Sequence, residues 1–149
     1  MERAAYIIKP EGIAHRGEIR RTLLRAGLRI VEAKGATLNP ACVDILYPGL
    51  APNLRDASIE FLTRAPVEIG IVEGEGVTAR LRKLLGDKTN PDECLPGTIR
   101  HRFGVRPAVA FGGAVYYRNV IHGSKNVAEA DRDIRLYSCL PPVRGSAEP

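Results

Sequence analysis

Four short stretches with strand-like patterns restrict this chain to few folds. Short apolar runs cover residues 4–8 and 120–121, residues 66–73 carry Val67, Ile69, Ile71 and Val72, and residues 28–38 alternate loosely between apolar and polar types. Runs of this length bounded by Gly or Pro are typical of strands. Pro10 also disfavours the helical region for Lys9, so a strand is expected to stop there. The pattern predicts four β-strands.

Amphipathic segments lie between these stretches. In the first, Ile19, Leu23 and Leu24 share one face, as the 3.6-residue period of a helix requires. Helices are predicted over residues 17–28, 54–63, 77–85 and 127–137. The resulting order predicts an α+β sandwich of βαββαβ type, with helices over one face of an antiparallel four-stranded sheet. Residues 86–118 are predicted to form one long loop, and loops of that length are usually functional.

Size and charge limit the classes of protein. The 149 residues fit one domain over residues 1–140, followed by a flexible tail over 141–149, which is rich in Pro, Gly and Ser. The net charge of +5 suits an anionic phosphate ligand. Because the basic residues form no run of five, no specific nucleic-acid partner is expected.

Cellular location is predicted from what the sequence lacks. Its three cysteines, Cys42, Cys94 and Cys139, match neither a disulfide framework nor a metal-ligand spacing, so free thiols are expected. The N-terminal apolar run is too short for a signal peptide, and no stretch has the length of a membrane span. A cytoplasmic protein without a membrane partner is predicted.

One histidine stands out as a candidate nucleophile. In Asn119-Val120-Ile121-His122-Gly123-Ser124 an apolar pair delivers His122 to a glycine turn. Imidazole is neutral and nucleophilic near pH 7, so it can accept a group covalently. Taken alone, a single histidine is more often structural. His15 and His101 lack such a strand and are interpreted as structural or solvated.

Basic and hydroxyl side chains suggest a phosphate site, if the fold brings them together. Thr89 and Arg100 lie in a stretch stiffened by Pro, Asn and Gly, and Arg82 projects from the helix before it. Guanidinium groups bind phosphate oxygens bidentately, and Lys9 adds a point charge. Tyr47 can present its hydroxyl to phosphate, or can be a half-buried aromatic.

An acidic residue is placed to orient the imidazole. Asp133 lies about two turns into the last helix, and helical side chains point back toward the N-terminus. It can therefore reach His122, as carboxylates do in other histidine sites. An acid on the exposed helix surface is the alternative.

Two common phosphate-binding motifs are not supported. The stretch Gly74-Glu75-Gly76-Val77-Thr78-Ala79 superficially fits the dinucleotide fingerprint, but no further parallel strand and acidic residue follow it. It is interpreted as a strand-to-helix turn. The sequence also contains no Walker-type phosphate loop.

Several stretches together resemble the nucleoside diphosphate kinase family. Each is weak alone, but their joint occurrence in the family's order, across residues 4–137, is specific. In chain order they are Ile7-Ile8-Lys9-Pro10-Glu11-Gly12, Gly17-Glu18-Ile19, Leu84-Leu85-Gly86 with Thr89-Asn90-Pro91, Pro96-Gly97-Thr98-Ile99-Arg100 with Phe103-Gly104, and Arg118-Asn119-Val120-Ile121-His122-Gly123-Ser124.

The resemblance implies a ferredoxin-like fold and an activity. The family transfers the terminal phosphate of a nucleoside triphosphate to a nucleoside diphosphate, by a ping-pong mechanism through a phosphohistidine with Mg²⁺ on the nucleotide. It works as a homo-oligomer. By position His122 resembles the phosphorylated residue. The supporting and binding positions that the resemblance implies are Ser124 and Asp133 behind the histidine, Arg82, Thr89 and Arg100 at the phosphates, Lys9 at the transferring phosphate and ribose, Asn119 at the ribose, and Tyr47 on the phosphate side.

The chain also departs from the family pattern. Lys125 stands where the family usually has Asp, and Asp133 is one methylene shorter than the usual Glu, so it is expected to reach the ring less well or only through water. The base-stacking phenylalanine falls near Leu54. The chain is shorter near His15-Arg16 and has an insertion around residues 105–117, in the loop that the family uses for subunit contacts.

Two alternatives to an active kinase remain open at this point. One is a nucleotide-binding regulatory or interaction protein of the same fold with weak or no turnover, motivated by the departures. The other is a nucleic-acid-binding module, which the sheet favours little because only Tyr6 supplies an aromatic ring in the first strand.

Overall fold

The computed structural model describes residues 1–143. Six strands and six α-helices form in this range, with two short 3₁₀ helices at Pro10–His15 and Pro91–Glu93. The strands are β1 (Glu2–Ile8), β2 (Arg29–Ala36), β3 (Val67–Gly74), β4 (Val105–Phe111), β5 (Ala114–Arg118) and β6 (Ile121–Gly123). The helices are α1 (Arg16–Arg25), α2 (Pro40–Leu46), α3 (Pro52–Thr63), α4 (Val77–Leu85), α5 (Ile99–Phe103) and α6 (Val127–Cys139).

The main sheet has four antiparallel strands in the order β2-β3-β1-β6. The predicted α+β class is therefore confirmed, and each of the four predicted strands corresponds to one of these. β1 is central, and its residue Ile7 pairs with Ile69 on β3 and with His122 on β6. The short last strand is thus fixed against the middle of the sheet, and this fixes the position of His122.

Helices cover both faces of the sheet, so the prediction of a single covered face is wrong. Successive side chains of a strand point to opposite faces. Tyr6 and Ile8 accordingly pack with α1 and α4, whereas Ile7 packs with α2, α3 and α6. Every residue of β1 from Ala4 to Ile8 is buried, which explains why this stretch is continuously apolar rather than alternating.

The stretch 86–118 is not one long loop, and that prediction is wrong. It contains α5 and the antiparallel hairpin formed by β4 and β5. Gly112 and Gly113 both have positive φ (55° and 84°), which the tight turn of such a hairpin requires. The hairpin packs on α3, where Tyr116 stacks on Phe61 with ring centroids 4.7 Å apart.

A buried carboxylate is neutralised beneath the sheet, on the face that α1 covers. Glu68 is 2% exposed and accepts hydrogen bonds from the Tyr6 hydroxyl (2.7 Å) and from Arg20 Nε (3.0 Å), with a further contact to Arg20 Nη2. Gly70 lies opposite Tyr6, and a Cβ there would meet the tyrosine ring at 2.4 Å. The glycine therefore makes room for the ring that reaches Glu68.

The chain beyond α6 runs beside β2, where Val143 N donates to Gly35 O (2.8 Å). Of the flexible tail predicted over 141–149, residues 144–149 lie outside the described residues. Across residues 1–143, no helix has the length and apolar character needed to cross a bilayer.

Candidate active site

The candidate nucleophile, His122, follows a turn with an unusual backbone conformation. Val120, two residues before His122, has φ of 68°, a region that β-branched residues rarely occupy. Three hydrogen bonds hold it there: Val120 N donates to Glu11 Oε2 (3.0 Å), Lys9 N donates to Val120 O (2.8 Å), and Ile121 N donates to Asn119 O (2.9 Å). Such strain persists where the surroundings over-determine it.

Gly12 is needed for the same turn. A Cβ at this position would approach Val120 O to 2.7 Å and the Val120 Cβ to 2.9 Å. The stretch Lys9-Pro10-Glu11-Gly12 therefore supplies an acceptor for the Val120 N–H and the space in which that residue fits. Glu11 was not among the residues proposed from the sequence, although it lies within a stretch that carried the resemblance.

His122 is buried, 5% exposed, and one of its ring nitrogens is committed to a carboxylate. Its Nε2 lies 3.0 Å from Asp133 Oδ2. An ionised carboxylate only accepts hydrogen bonds, so Nε2 carries the hydrogen and donates it. The lone pair of the neutral ring then resides on Nδ1. Asp133 thus reaches the ring directly, and the expectation of a weaker or water-mediated contact is wrong.

Asp133 is itself held by two further donors. Ser124 Oγ donates to Oδ2 (2.9 Å) and accepts from Ala5 N (3.1 Å), while Arg132 Nε donates to Oδ1 (2.9 Å). The carboxylate is fully buried. Burial by itself raises the pKa of Asp133, but the hydrogen bonds and charges of His122 and Arg132 bring it below its ordinary value. The group is therefore ionised at neutral pH.

The imidazole is neutral at pH 7. Burial lowers the pKa of His122, Asp133 opposes this, and the positive charges of Lys9 and Arg100 push it down further. The net direction is downward from the ordinary value of 6.5. A neutral ring with a free Nδ1 and a supported Nε2–H is the form that a nucleophilic histidine requires.

Lys9 is a buried cation beside this ring. Its Nζ donates to Asn119 Oδ1 (2.6 Å), and Asn119 Nδ2 donates to Thr89 O (3.0 Å). Burial lowers the pKa of Lys9 from 10.5 to about 8, with Glu11 opposing and Arg100 adding to the effect. The ammonium therefore stays mostly charged at pH 7, but no carboxylate within residues 1–143 forms a direct ion pair with it.

Tyr47 lies between the ammonium and the imidazole. Its ring meets that of His122 edge to face, with centroids 5.4 Å apart, and Lys9 Nζ is 5.8 Å from its centroid. Burial raises the pKa of the Tyr47 hydroxyl, so the hydroxyl is a neutral hydrogen-bond donor at any physiological pH.

Arg100 connects three segments of backbone around the site. Its Nη2 and Nε donate to Ile121 O (2.8 and 3.2 Å), and its Nη1 donates to Gly86 O (3.2 Å) and Lys88 O (3.0 Å). This guanidinium therefore stiffens the strand that carries His122 as well as bringing positive charge to it.

These side chains share one cavity of about 290 Å³, at the lower end of the sizes that small-molecule sites have. Its wall combines polar and apolar side chains. The polar ones include Lys9, Tyr47, Thr89, Arg100, Asn119 and His122. The apolar ones include Leu46, Leu50, Leu54, Leu62 and Val115.

Arg82 lies outside this wall. It is exposed and lines a neighbouring cleft together with Lys83 and Thr98. Lys125, at the position where a carboxylate was expected, is exposed and borders both spaces. The structure thus collects six of the predicted binding residues with His122 in one cavity, places Ser124 and Asp133 behind the ring, and leaves Arg82 beside the cavity.

Three residues of the hairpin line the cavity and were not proposed from the sequence. They are Val115, Tyr116 and Tyr117. The local signal for the hairpin was present, since apolar residues flank Gly112-Gly113. Contact with α3 depends on tertiary packing and has no local signal.

The described residues provide few ligands for a metal. Within residues 1–143 no three or more His, Cys, Asp or Glu side chains are grouped so as to hold an ion. Mg²⁺ is commonly bound by substrate phosphates with only one or two carboxylates. A cavity of this composition fits a magnesium ion that enters with its phosphate ligand.

The fold and this geometry define a site suited to phosphoryl transfer through a covalent intermediate, because a neutral imidazole faces a cationic cavity. The family model "Nucleoside diphosphate kinase" matches residues 2–138. The chain belongs to the nucleoside diphosphate kinase family.

Relatives and solved structures agree with this membership. Nucleoside diphosphate kinase from Staphylococcus carnosus (strain TM300) is 38% identical over 140 residues, which is 92% of this chain and 87% of the relative. That from Moorella thermoacetica is 38% identical over 141 residues, 92% of this chain and 94% of the relative. The Borrelia burgdorferi enzyme, solved as a transition state mimic with vanadate and ADP, superposes with a TM-score of 0.77 at 28% identity, covering 91% of this chain and 86% of the other. The Aquifex aeolicus enzyme gives 0.76 at 25% identity, covering 91% and 94%.

Proposed function

We propose that the protein transfers the terminal phosphate of a nucleoside triphosphate to a nucleoside diphosphate through a phosphohistidine at His122. The observation that carries the proposal is the state of the ring: Nε2 is held by Asp133 at 3.0 Å and burial keeps the imidazole neutral, so Nδ1 has its lone pair available beside a cationic cavity. Family membership supports the choice of nucleotides as donor and acceptor.

The first half-reaction forms one bond and breaks another at the terminal phosphorus. The Nδ1 lone pair attacks that phosphorus, the bond to the bridging oxygen breaks, and the nucleoside diphosphate leaves with the electron pair. The proton stays on Nε2, and the Asp133 carboxylate stabilises the positive charge that develops on the ring. In the second half-reaction a terminal oxygen of another nucleoside diphosphate attacks the phosphorus, and Nδ1 regains its lone pair.

In this proposal the polar side chains of the cavity wall bind the phosphates and the sugar. Lys9 and Tyr47 act at the transferring phosphate, Thr89 and Arg100 hold the remaining phosphates, and Asn119 binds the ribose. Arg82 reaches the phosphates from the neighbouring cleft. The nucleobase packs against Leu54, one of the apolar side chains of the cavity wall. Because phosphoryl transfer asks the protein chiefly for positioning and for charge stabilisation, cations and hydroxyl donors are sufficient.

Three further features belong to the proposal. Mg²⁺ enters with the nucleotide and neutralises charge on its phosphates. The protein works in the cytoplasm and assembles as a homo-oligomer, which family membership supports. Light scattering on the purified protein measures the oligomeric state.

Labelling with [γ-³²P]ATP and magnesium tests the function. We expect label on the protein that is acid-labile and base-stable, as on a phosphohistidine, and that passes to added GDP. His122→Ala should take no label, whereas the control His101→Ala, at a histidine outside the cavity, should label as the wild type does. Wild-type protein that binds ADP without becoming labelled would instead indicate a nucleotide-binding regulatory protein.

A further inference from the structure

The inserted hairpin folds onto the nucleotide cavity. Tyr116 on β5 stacks on Phe61 of α3, with centroids 4.7 Å apart and rings inclined by 12°. Phe111 on β4 meets Phe61 edge to face at 6.0 Å. Leu54 and Ala57 belong to the same cluster, so the hairpin is attached to the helix that contributes Leu54 and Leu62 to the cavity wall.

Tyr116 has a buried hydroxyl for which the described residues supply no partner. The side chain is 6% exposed and lines the cavity, and its Oη makes no hydrogen bond within residues 1–143. Buried polar groups are nearly always hydrogen-bonded, and an unsatisfied one destabilises the fold. A group of this kind in the wall of a ligand site indicates that the ligand is its partner.

The chemistry of the hydroxyl indicates which part of the ligand it meets. Burial raises the pKa of Tyr116, and the negative charges of Glu11 and Tyr47 would add to this, so the group is a neutral donor. Its neighbours on α3 are apolar, whereas Lys9 and Arg100 supply positive charge to the cavity wall. The phosphates are drawn to those cations, which leaves the nucleoside half for Tyr116.

We propose that the Tyr116 hydroxyl donates a hydrogen bond to the nucleoside half of the bound nucleotide, which makes the inserted hairpin part of the substrate site. This inference rests on the proposed function, because it takes a nucleotide as the occupant of the cavity. It assigns to this chain a polar contact that its own insertion provides, beside Leu54, whose side chain cannot stack on a base as an aromatic ring does.

The variant Tyr116→Phe isolates the hydroxyl, since the ring and its stacking on Phe61 are retained. We expect the Kd for ADP to rise about tenfold, the equivalent of about 1.4 kcal/mol. The Kd for inorganic tripolyphosphate, which has no nucleoside, should not change. The melting temperature of the nucleotide-free protein should be equal or higher, because an unpartnered polar atom has been removed. Tyr137→Phe is the control: its ring packs on Lys34 outside the cavity, and the Kd for ADP should stay at the wild-type value.

The outcomes separate this inference from the function on which it rests. An unchanged Kd for ADP in Tyr116→Phe, or equal losses for ADP and tripolyphosphate, overturns the nucleoside contact. A lowered melting temperature without ligand overturns the premise that the hydroxyl has no partner. If the wild-type protein binds ADP but takes no label from ATP, the transferase function is refuted, and the Kd values of Tyr116→Phe and the wild type still test the nucleoside contact. If the wild-type protein does not bind ADP, the function and the contact are both refuted.

Discussion

The affinity of the protein for nucleotides should depend on pH through the ammonium of Lys9. Burial of this ammonium, with the positive charge of Arg100 adding and Glu11 opposing, lowers its pKa from 10.5 to about 8. A phosphate group in the cavity supplies negative charge and favours the charged form. Nucleotide binding should therefore raise the pKa of Lys9, and by linkage the affinity should fall as the pH rises through about 8, because the free protein loses the proton that the complex keeps.

The size of the effect follows from the two pKa values. If bound phosphate restores the ordinary value of 10.5, the Kd for ADP should be about tenfold higher at pH 9 than at pH 7, from linkage of one proton. Binding should take up about 0.9 of a proton at pH 9 and about 0.1 at pH 7 by the same linkage. The affinity loss should level off above the pKa of the complex.

Calorimetric titration with ADP measures both quantities. The last ionisation of a phosphate has a pKa of about 6, so the phosphates of ADP are nearly fully ionised well above this value, and a proton taken up on binding there goes to the protein. Repeating the titration at each pH in buffers of different ionisation enthalpy gives the number of protons taken up. The fall in affinity and the proton uptake must agree, since linkage derives one from the other.

Two variants test whether Lys9 is the titrating group. Lys9→Met should bind ADP more weakly at pH 7 and lose the pH dependence. Lys9→Arg, whose guanidinium stays charged in this range, should also lose it. A Kd that is flat between pH 7 and 9 in the wild type, or a slope that persists in Lys9→Met, would show that the Lys9 ammonium is not the titrating group.

Two further predictions concern the carboxylates. Asp133→Asn should lower kcat by about 100-fold or more, because an amide can donate to Nε2 and so shift the ring hydrogen to Nδ1, as the corresponding change does in serine proteases. Stopped-flow labelling measures the rate of phosphorylation. A rate within threefold of the wild type would contradict the assignment of Nδ1 as nucleophile. Glu68→Gln should lower the unfolding free energy by about 3 kcal/mol in urea titrations, because it leaves the Arg20 cation without its carboxylate, while kcat persists because Glu68 lies on the face opposite His122. Its control, Glu60→Gln, breaks an exposed pair with Arg64 and should cost less than about 0.5 kcal/mol, so equal costs would refute the argument from burial.

Much of the fold followed from local patterns. The apolar stretches predicted the four strands of the main sheet, because short apolar runs bounded by Gly or Pro are typical of buried strands. Helices α1, α3, α4 and α6 were predicted with ends within a few residues of those observed. α2 was not, since its seven residues are too few for a clear helical period. The packing of helices on both faces of the sheet was not predicted either, because the order of elements in the sequence does not specify the face on which a helix packs.

Parts of the candidate site could also be inferred early. His122, Lys9 and Asp133 were singled out from residue type and position, and the structure places Asp133 3.0 Å from His122 and Lys9 in the same cavity wall as the ring. The reach of Asp133 was underestimated, since it depends on how closely α6 approaches β6. Arg82 was grouped with the phosphate residues, yet it lies beside the cavity because it projects from the exposed side of α4.

By itself the sequence determined the strand and helix order, the presence of a histidine fit for nucleophilic chemistry, and the cationic side chains around it, because these depend on local periodicity and on side-chain chemistry. Only the tertiary structure decided which imidazole nitrogen is free, how far the pKa of Lys9 falls, and that the hairpin of β4 and β5 closes over the same cavity. Those properties depend on burial and on contacts between residues far apart in the chain, such as Tyr116 with Phe61, and no local pattern encodes them.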